Sequence, residues 1–451
     1  MDKKRRIYTL TGLPPEVVAV AFAKCSRSPE PFDKIAAELN ADKSRKFHEK
    51  WVVGYGHSSV AEHAVLSIAL ENVSMLATKV LEDNRLASYT EKSTRYQVFD
   101  KTTYLKPKKI MESKFKDIYE QTTNFIMDQY TKLVPKMVDF FKNKFKDKSE
   151  IEIKNLALDA CRYLLPVSTL TNLGMTLNAR NLEHGIIKLL THPFNEMQEI
   201  GNELKESALK VTPTLIKHIK YNEYIGETDK ALRGSLKFKE PVNNKTNQNE
   251  VTLVEFDNDA ETKLLASLIY KYSQLNYNQA KEKVLALSNE EKENIIDESL
   301  RRLGKFDAPL RKLEHIFYTF DVLIDYGAFR DVQRHRMCTQ TNQDFTVDQG
   351  YIIPDEIIKA GFKNTYVECM EKAEQAYKQM KELDEASYII PMAYRKRVLM
   401  KMNLRSLFHF IKLRSGKTGH LSYRQVAWQM YDLIKEKHPL LAKYIMVDKE
   451  V

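Results

Sequence analysis

Short strings of this chain recur at a nearly fixed separation, and this repetition constrains the fold more than any other feature. Glu62-His63 returns in the second half of the chain as Glu314-His315, and Pro166 returns as Pro391 at a slightly smaller offset. A nearly fixed offset of this kind is the sequence signature of a repeated structural unit. We therefore predict a tandem duplication, and the drop in separation puts about 26 extra residues in the first copy.

The chain length and the order of its segments predict two domains of α+β class. A chain of 451 residues is longer than one hydrophobic core usually serves. The polar, Asn-rich segment 226–250 predicts a linker between repeat one, residues 1–225, and repeat two, residues 251–451. Apolar periodicity predicts antiparallel sheet segments packed with long helices, including a strand over 251–256 and a helix over 260–272. The sequence lacks the Gly-rich phosphate loop of a dinucleotide-binding domain.

The net charge of +10 is explained without nucleic acid or a membrane as partner. Lysines crowd the segment 101–148, where apolar residues recur at helical spacing, and this pattern is typical of a helix with a solvated basic face. No stretch is long and apolar enough for a membrane span or a signal peptide. The four cysteines form no Cys-x-x-Cys pair, so we predict no metal site and no disulfide framework. A reducing cytoplasm fits this composition.

Residues 85–96 gather cations and hydroxyl groups around a single carboxylate. The guanidinium of Arg95 and the hydroxyl of Ser93 suit phosphate oxygens, whereas Glu91 suits a sugar hydroxyl or a base N–H. We place this motif on a helix that follows the first strand of the repeat. The segment predicts a nucleotide site, and the alternative is a surface helix end whose charges pair with each other.

Three adjacent basic residues, Arg334-His335-Arg336, stand at the equivalent place in the second copy, where a helix is predicted to end. Neighbouring cations repel, so this triplet favours an anion such as a diphosphate-bearing cofactor. The alternative is a solvated basic turn. Asn178 and Asn403, which share the offset of Pro166 and Pro391, are each predicted to cap a helix whose N-terminus attracts anions.

The order and spacing of these motifs resemble those of the flavin-dependent thymidylate synthases. The signature of that family is Arg-His-Arg-x-x-Ser-x-Asn-Glu-x-Ser-x-Arg-Tyr, of which residues 85–96 keep the later part and residues 334–336 the first part. Residues 56–63 resemble the upstream motif Gly-His-x-Ser/Thr-Pro-Phe-Glu-His, and residues 162–166 and 178–180 resemble downstream elements. The resemblance covers most of both halves.

The resemblance implies a chemistry and a set of site residues. It implies that FAD and NADPH serve the reductive C5 methylation of dUMP, with methylenetetrahydrofolate as carbon donor. For catalysis it implies Arg414, which would polarise the pyrimidine, together with His57 and Ser88. For substrate binding it implies Glu91, Ser93, Arg95, Arg162 and Arg334. For cofactor binding it implies Ser59, Glu62, His335, Arg336, Asn403, Arg405, His409 and His420.

Neither copy keeps the whole signature. The first copy has Asp83 and Leu189 where the second copy has Arg334 and Arg414, and the second has lost the signature Glu and Ser to Asn342 and Asp344. Our hypothesis is that each live site takes one face from each copy. The chain would be a fused pseudo-dimer that forms a homodimer, with two live junctions and two inert ones in which aspartates repel phosphate.

Two other functions stay open at this point. One is a flavoenzyme that modifies another pyrimidine nucleotide or uses another carbon donor, because Thr90 and Thr339 depart from the signature where base and cofactor would lie. The other is a non-catalytic flavin or nucleotide sensor, which the number of signature changes favours.

Overall fold

Helices and two small antiparallel sheets make up the computed structural model, which describes residues 5–39, 44, 46–47, 58–236 and 250–450. The predicted mixture of helices with antiparallel strands is therefore confirmed. Within the described ranges, no helix combines the length and apolar character that crossing a membrane requires.

The residues before position 237 surround one sheet with helices. The strands are β1 (Val65–Ser74), β2 (Ala87–Glu91) and β3 (Leu170–Asn178), with β3 in the centre and both pairs antiparallel. The helices are α1 (Pro15–Cys25), α2 (Phe32–Ala37), α3 (Met75–Leu81), α4 (Lys108–Met111), α5 (Lys116–Lys144), α6 (Glu150–Cys161), α7 (Ala179–Thr191), α8 (Asn195–Leu209) and α9 (Glu223–Ser235).

The residues from 250 onwards repeat this plan with one more strand. The strands are β4 (Glu250–Phe256), β5 (Phe317–Asp325), β6 (Thr339–Asn342) and β7 (Arg395–Asn403), in the order β4-β5-β7-β6 with all pairs antiparallel. The helices are α10 (Ala260–Tyr272), α11 (Tyr277–Ala286), α12 (Asn289–Leu300), α13 (Tyr326–Val332), α14 (Asp355–Lys359), α15 (Lys363–Met380), α16 (Leu404–Arg414), α17 (Leu421–Lys437) and α18 (Pro439–Ala442).

Each sheet turns an apolar face to helices of its own half. Along β3 the side chains of Leu173, Met175 and Leu177 are buried and alternate with exposed neighbours, as expected for a strand covered on one face. They pack against α7 and α8 in one apolar cluster. A second cluster joins residues of both halves, including Tyr163 and Tyr388. The two predicted repeats therefore share a core.

The halves are joined by a reciprocal exchange of backbone hydrogen bonds. Val167 N donates to Ile390 O at 3.0 Å, and Met392 N donates to Leu165 O at 3.0 Å. The two bonds are equivalent, because the offset that relates Pro166 to Pro391 also relates the residues of one bond to those of the other. An approximate twofold axis thus passes between the segments around Pro166 and Pro391.

Several local predictions are confirmed and two need correction. The strand over 251–256, the helix over 260–272 and a Lys-rich helix within 101–148 are present. The segment predicted as linker contains most of α9, whose residues are all at least partly exposed. The first arginine motif lies in a turn after α3 and on β2, whereas we predicted a helix.

We predict that Gly327→Ala destabilises the protein by about 1–3 kcal/mol because it overpacks the contact between the halves. A Cβ atom at Gly327 would lie 2.7 Å from Cε1 of Tyr163, whose ring is fully buried and cannot move aside. The matched control is Gly234→Ala in α9, where nothing lies within 4 Å of the added atom. Denaturant unfolding measures both variants. Equal stability of Gly327→Ala and the parent protein would contradict this packing.

Candidate active site

A buried ionic cluster lies where the two halves meet. The strand alternation of β2 exposes Thr90 and turns Glu91 inward. Arg330 Nη2 donates to Glu91 Oε1 at 2.7 Å, Lys79 Nζ lies 3.3 Å from Oε2, and Arg334 Nη2 lies 3.9 Å from Oε2. Burial by itself raises the pKa of Glu91, but Arg330, Lys79 and Arg334 together hold that pKa well below the usual value. Glu91 is therefore an ionised anchor for cations from both halves.

A second cluster lies at the same junction around Asp159. Arg95 Nε donates to Asp159 Oδ1 at 3.0 Å, Arg162 Nε lies 3.4 Å from that oxygen, and His420 Nε2 lies 3.8 Å from it. Burial raises the pKa of Asp159, but His420, Arg162 and Arg95 bring it below its usual value. Arg95 also donates weakly to Thr418 O, at 3.4 Å. Front-half arginines and a back-half histidine thus share one carboxylate.

The guanidinium of Arg162 is buried and incompletely paired. The side chain follows α6 in a 3₁₀ turn and is 2% exposed. Its Nε and Nη2 atoms have no hydrogen-bond partner among the described residues. An unsatisfied charged donor at such depth is costly, so these nitrogens suit an anion that supplies acceptor oxygens.

Arg414, at the end of α16, is held by Asp331 and His335. Arg414 Nε donates to His335 Nε2 at 2.8 Å, and Nη1 lies 3.8 Å from Asp331 Oδ1. Burial lowers the pKa of His335 well below its usual value, with Arg414 and His409 adding to the effect, so the ring is neutral and accepts. Burial raises the pKa of Asp331, but Arg162, Arg414 and further arginines bring it below its usual value.

The predicted flavin-side residues form pairs inside each half. Glu62 pairs with Arg180, and Glu314 Oε1 accepts from Arg405 Nη1 at 2.8 Å, so equivalent residues of the two halves make equivalent contacts. Among the described residues, no hydrogen bond or ion pair joins these two Glu–Arg pairs to the junction clusters. Ser59 is exposed in the turn Ser58–His63.

The other predicted site residues lie at several places. Asn403 Oδ1 accepts from Ser406 N at 2.8 Å, and Asn178 Oδ1 accepts from Asn181 N at 3.0 Å, so both predicted helix caps are confirmed. Ser88 lies on the exposed face of β2, opposite to Glu91. His57 lies outside the described residues. Ser93 Oγ accepts from Arg95 N at 3.2 Å, Arg336 Nη1 donates to Arg85 O at 3.0 Å, and the His409 ring lies 5.6 Å from that of His335.

Sequence reasoning missed four charged residues of the junction: Lys79, Asp159, Arg330 and Asp331. Lys79 and Arg330 are related by the same offset that relates Arg85 to Arg336. This offset could have identified them as equivalent residues, one on α3 and one on α13. Asp159 returns as Asp384 at the offset that relates Pro166 to Pro391, so the repeat could have identified it as well. Asp331 has no such counterpart, because Val80 stands at the equivalent place, and only the fold reveals it.

The approximate twofold axis creates a second junction, and it contains a cavity of about 450 Å³. Asp83 and Asp344 both line this cavity. Each aspartate is paired, because Lys188 Nζ lies 3.1 Å from Asp83 Oδ2 and Arg233 Nη1 donates to Asp344 Oδ2 at 2.5 Å. The aspartates we expected to repel phosphate are therefore neutralised by cations of the first half.

The chain thus consists of two similar halves of mixed helix and sheet that meet at an arginine-rich junction. The family model described as thymidylate synthase complementing protein matches residues 7–214 and 252–440. The chain belongs to this family, which confirms the resemblance seen in the sequence.

Relatives match either the whole chain or one half. A "UPF0159 protein" of Chlamydia muridarum is 31% identical over 97% of this chain and 91% of its own length. A "Flavin-dependent thymidylate synthase" of Clostridium tetani is 30% identical over 48% of this chain and 87% of its own length. A crystal structure titled as a UMP/dUMP methylase from Streptomyces cacaoi bound with 5-Br dUMP aligns at 16% identity and a TM-score of 0.37, over 44% of this chain and 95% of its own.

We predict that Arg330→Met destabilises the protein by about 3–5 kcal/mol, because it leaves the Glu91 carboxylate buried without its best partner. Replacing both partners, with Glu91→Leu added to Arg330→Met, restores much of that loss because no unpaired charge remains. The control is Arg302→Met, whose pair with Glu298 is 65% and 55% exposed and is worth under about 1 kcal/mol. Denaturant unfolding of the parent protein, the two single variants and the double variant measures these differences in stability. A double variant that is less stable than Arg330→Met would contradict the pairing.

Proposed function

We propose that this protein is a FAD-dependent nucleotide methyltransferase of the thymidylate synthase type. Its reaction is the reductive C5 methylation of dUMP, with methylenetetrahydrofolate as carbon donor and NADPH as reductant. Family membership supports the class of enzyme. The observation that carries the substrate assignment is the buried, half-paired guanidinium of Arg162 between arginines of both halves.

The nucleotide phosphate binds to Arg162 and Arg95 in this proposal. Arg162 has two nitrogens, Nε and Nη2, that make no hydrogen bond to the described residues, and Arg95 belongs to the same cluster, so the two guanidinium groups can bind phosphate oxygens together. Asp159 keeps both arginines in place and offsets part of their mutual repulsion. Arg334, whose side chain is 44% exposed, adds a third cation from the back half.

Glu91 has a positioning role in this proposal, which differs from the direct contact that the resemblance implied. Its carboxylate is fully buried and already bonded to Arg330 and Lys79, so it has no face left for a sugar or a base. It fixes the end of α13, from which Arg334 extends. The substrate contact is therefore assigned to the arginine, and the carboxylate keeps that arginine near the junction.

Arg414 is the residue that polarises the pyrimidine. Its guanidinium is buried beside neutral His335, and Asp331 holds it from the other side. A preorganised cation stabilises the negative charge that develops on a pyrimidine carbonyl without needing to move. Burial and the nearby Arg414 lower the pKa of His335, so the imidazole is not protonated. The positive charge of this pair therefore lies on the guanidinium of Arg414.

Glu62, Asn403 and Arg405, three of the residues implied for FAD, fit a site that needs a second copy of the chain. FAD, when bound, supplies the hydride that NADPH has delivered to it. Arg180 and Arg405 are partly exposed and held by glutamates, and the two Asn-capped helices begin beside them. These groups suit diphosphate oxygens. Within the described residues of one chain these groups make no hydrogen bond or ion pair to the junction clusters, so we assign the flavin to a surface completed in a homodimer.

We predict that the purified protein shows the visible absorbance bands of bound flavin and forms dTMP from dUMP with methylenetetrahydrofolate and NADPH. Arg162→Gln lowers kcat/KM by roughly tenfold to a hundredfold, because it removes a charge-assisted contact to phosphate. The control Arg302→Gln alters only an exposed pair and leaves the rate unchanged. A flavin-free, inactive parent protein would refute the proposed function.

A mixing experiment tests whether one chain supplies both faces of the junction. Arg95→Ala and Arg414→Ala each inactivate the protein, and we predict that mixed dimers of the two variants stay inactive. The reason is that Arg95 and the loop after Arg414 meet within one chain, through Thr418. If the faces came from different chains, a mixed dimer would contain one intact junction, and activity would return.

A non-catalytic nucleotide sensor is the second candidate. It is favoured by the pairing of the junction arginines with carboxylates of the chain itself, such as Arg95 with Asp159 and Arg330 with Glu91. A yellow protein that binds dUMP, and that neither oxidises NADPH nor forms dTMP, would select it.

A further inference from the structure

The second junction holds a buried lysine that forms no ion pair within the described part of the chain. Lys396, near the start of β7, lines the 450 Å³ cavity and is only 8% exposed. It forms no ion pair with a described carboxylate, and its ammonium lies 4.5 Å from the ring centroid of Phe329. Burying an unpaired ammonium costs several kcal/mol, so it is a poor choice for a residue that only fills space.

The nearby carboxylates are engaged by other cations. Asp344 is bound by Arg233 of α9 through two contacts, at 2.5 and 3.2 Å, and Asp83 lies beside Lys188. Arg233 has no counterpart in the first junction, because α9 follows the last equivalent helix of the first half. The third carboxylate of the lining, Asp384, is exposed at its edge. Lys396 is therefore a buried cation of this cavity that forms no ion pair with the carboxylates that line it.

The second junction differs from the first by more than the loss of charged side chains. Under the offset that relates Pro166 to Pro391, Ser387 replaces Arg162 and Leu189 replaces Arg414, so two arginines of the nucleotide site are missing. Lys396 replaces Thr171, so a buried cation has been gained at a place where the first junction has a neutral residue. The cavity therefore has its own pattern of charge.

The surroundings of Lys396 combine further basic side chains with apolar rings. Burial, with Arg233 and Lys188, lowers the pKa of His192 to about 4, so this ring of the cavity wall is neutral. Burial lowers the pKa of Lys396 to about 8, and the attraction of Asp344, which raises that pKa, offsets the effect of burial only in part. The apolar part of the wall is formed by Leu76, Phe194, Met197, Tyr326, Phe329, Phe345 and Tyr377.

We propose that this cavity binds a small aromatic monocarboxylate, whose carboxylate pairs with Lys396 and whose ring packs between Phe194, Phe329 and Phe345. A single negative charge matches the one buried ammonium of the cavity that forms no ion pair with a described residue. The volume falls in the range of small-molecule sites, and the mixture of apolar wall with one polar anchor is typical of them. The inference goes beyond the proposed function and does not depend on it.

Calorimetric titration of the full-length protein with benzoate, 2-naphthoate and indole-3-carboxylate tests the proposal, without dUMP or FAD present. At least one of the three is expected to bind, and its neutral amide is expected to bind on the order of tenfold more weakly. Lys396→Met keeps the side-chain length and removes the charge, and it should weaken carboxylate binding on the order of tenfold or more. The amide should bind Lys396→Met and the parent protein equally.

The matched control is Lys401→Met, which makes the same change on the same strand at an exposed lysine 3.9 Å from Glu255. It should leave the carboxylate affinity unchanged. Thermal unfolding checks that Lys396→Met is folded, and its stability should equal or exceed that of the parent because an unpaired buried charge is gone. The proposal is overturned if none of the three carboxylates binds at millimolar concentration, or if Lys396→Met binds them as tightly as the parent protein.

Discussion

The exchange of backbone hydrogen bonds around Pro166 and Pro391 is the constraint on which the rest of the structure depends. Leu76 N donates to Val167 O, and Gly327 N donates to Met392 O, both within 3.1 Å. The segments that cross between the halves therefore also hold the first turns of α3 and α13. One turn further along these helices are Lys79 and Arg330. Lys79 and Arg330 are thus positioned by backbone hydrogen bonds that involve no charged group.

A symmetric backbone carries two junctions with unlike charges. The first holds Glu91, Asp159 and Asp331 among arginines of both halves, and each carboxylate offsets cations that would otherwise repel one another in a buried space. The second has replaced arginines by Ser387 and Leu189 and has acquired Lys396. Once the two halves are covalently joined, each junction can change independently, since no mutation is copied to the other side as it is in a homodimer.

The sequence was sufficient for the features that depend on local spacing. The recurring offset predicted that Asn178 and Asn403 cap equivalent helices, because a cap needs only its own helix. It did not predict α9, a helix with no buried side chain, because the polar and Asn-rich composition around it favoured a linker. The sequence reasoning also missed that the Glu91 side chain points inward. The inward direction of that side chain follows from strand alternation, and we had placed the motif on a helix.

The sequence alone could not predict ion pairs between residues that are far apart along the chain. Arg330 and Glu91 are 239 residues apart, and neither stands in a string that marks the other. Lys79 shows the consequence most clearly, because it lines the second cavity and yet pairs with Glu91 and Glu82 of the first junction. Its charge is thus used to hold Glu91 at the first junction. In the cavity of the second junction, Lys396 is therefore the buried ammonium that remains. Because Lys79 contacts both junctions, a change in the charge of one junction alters the electrostatic field in the other.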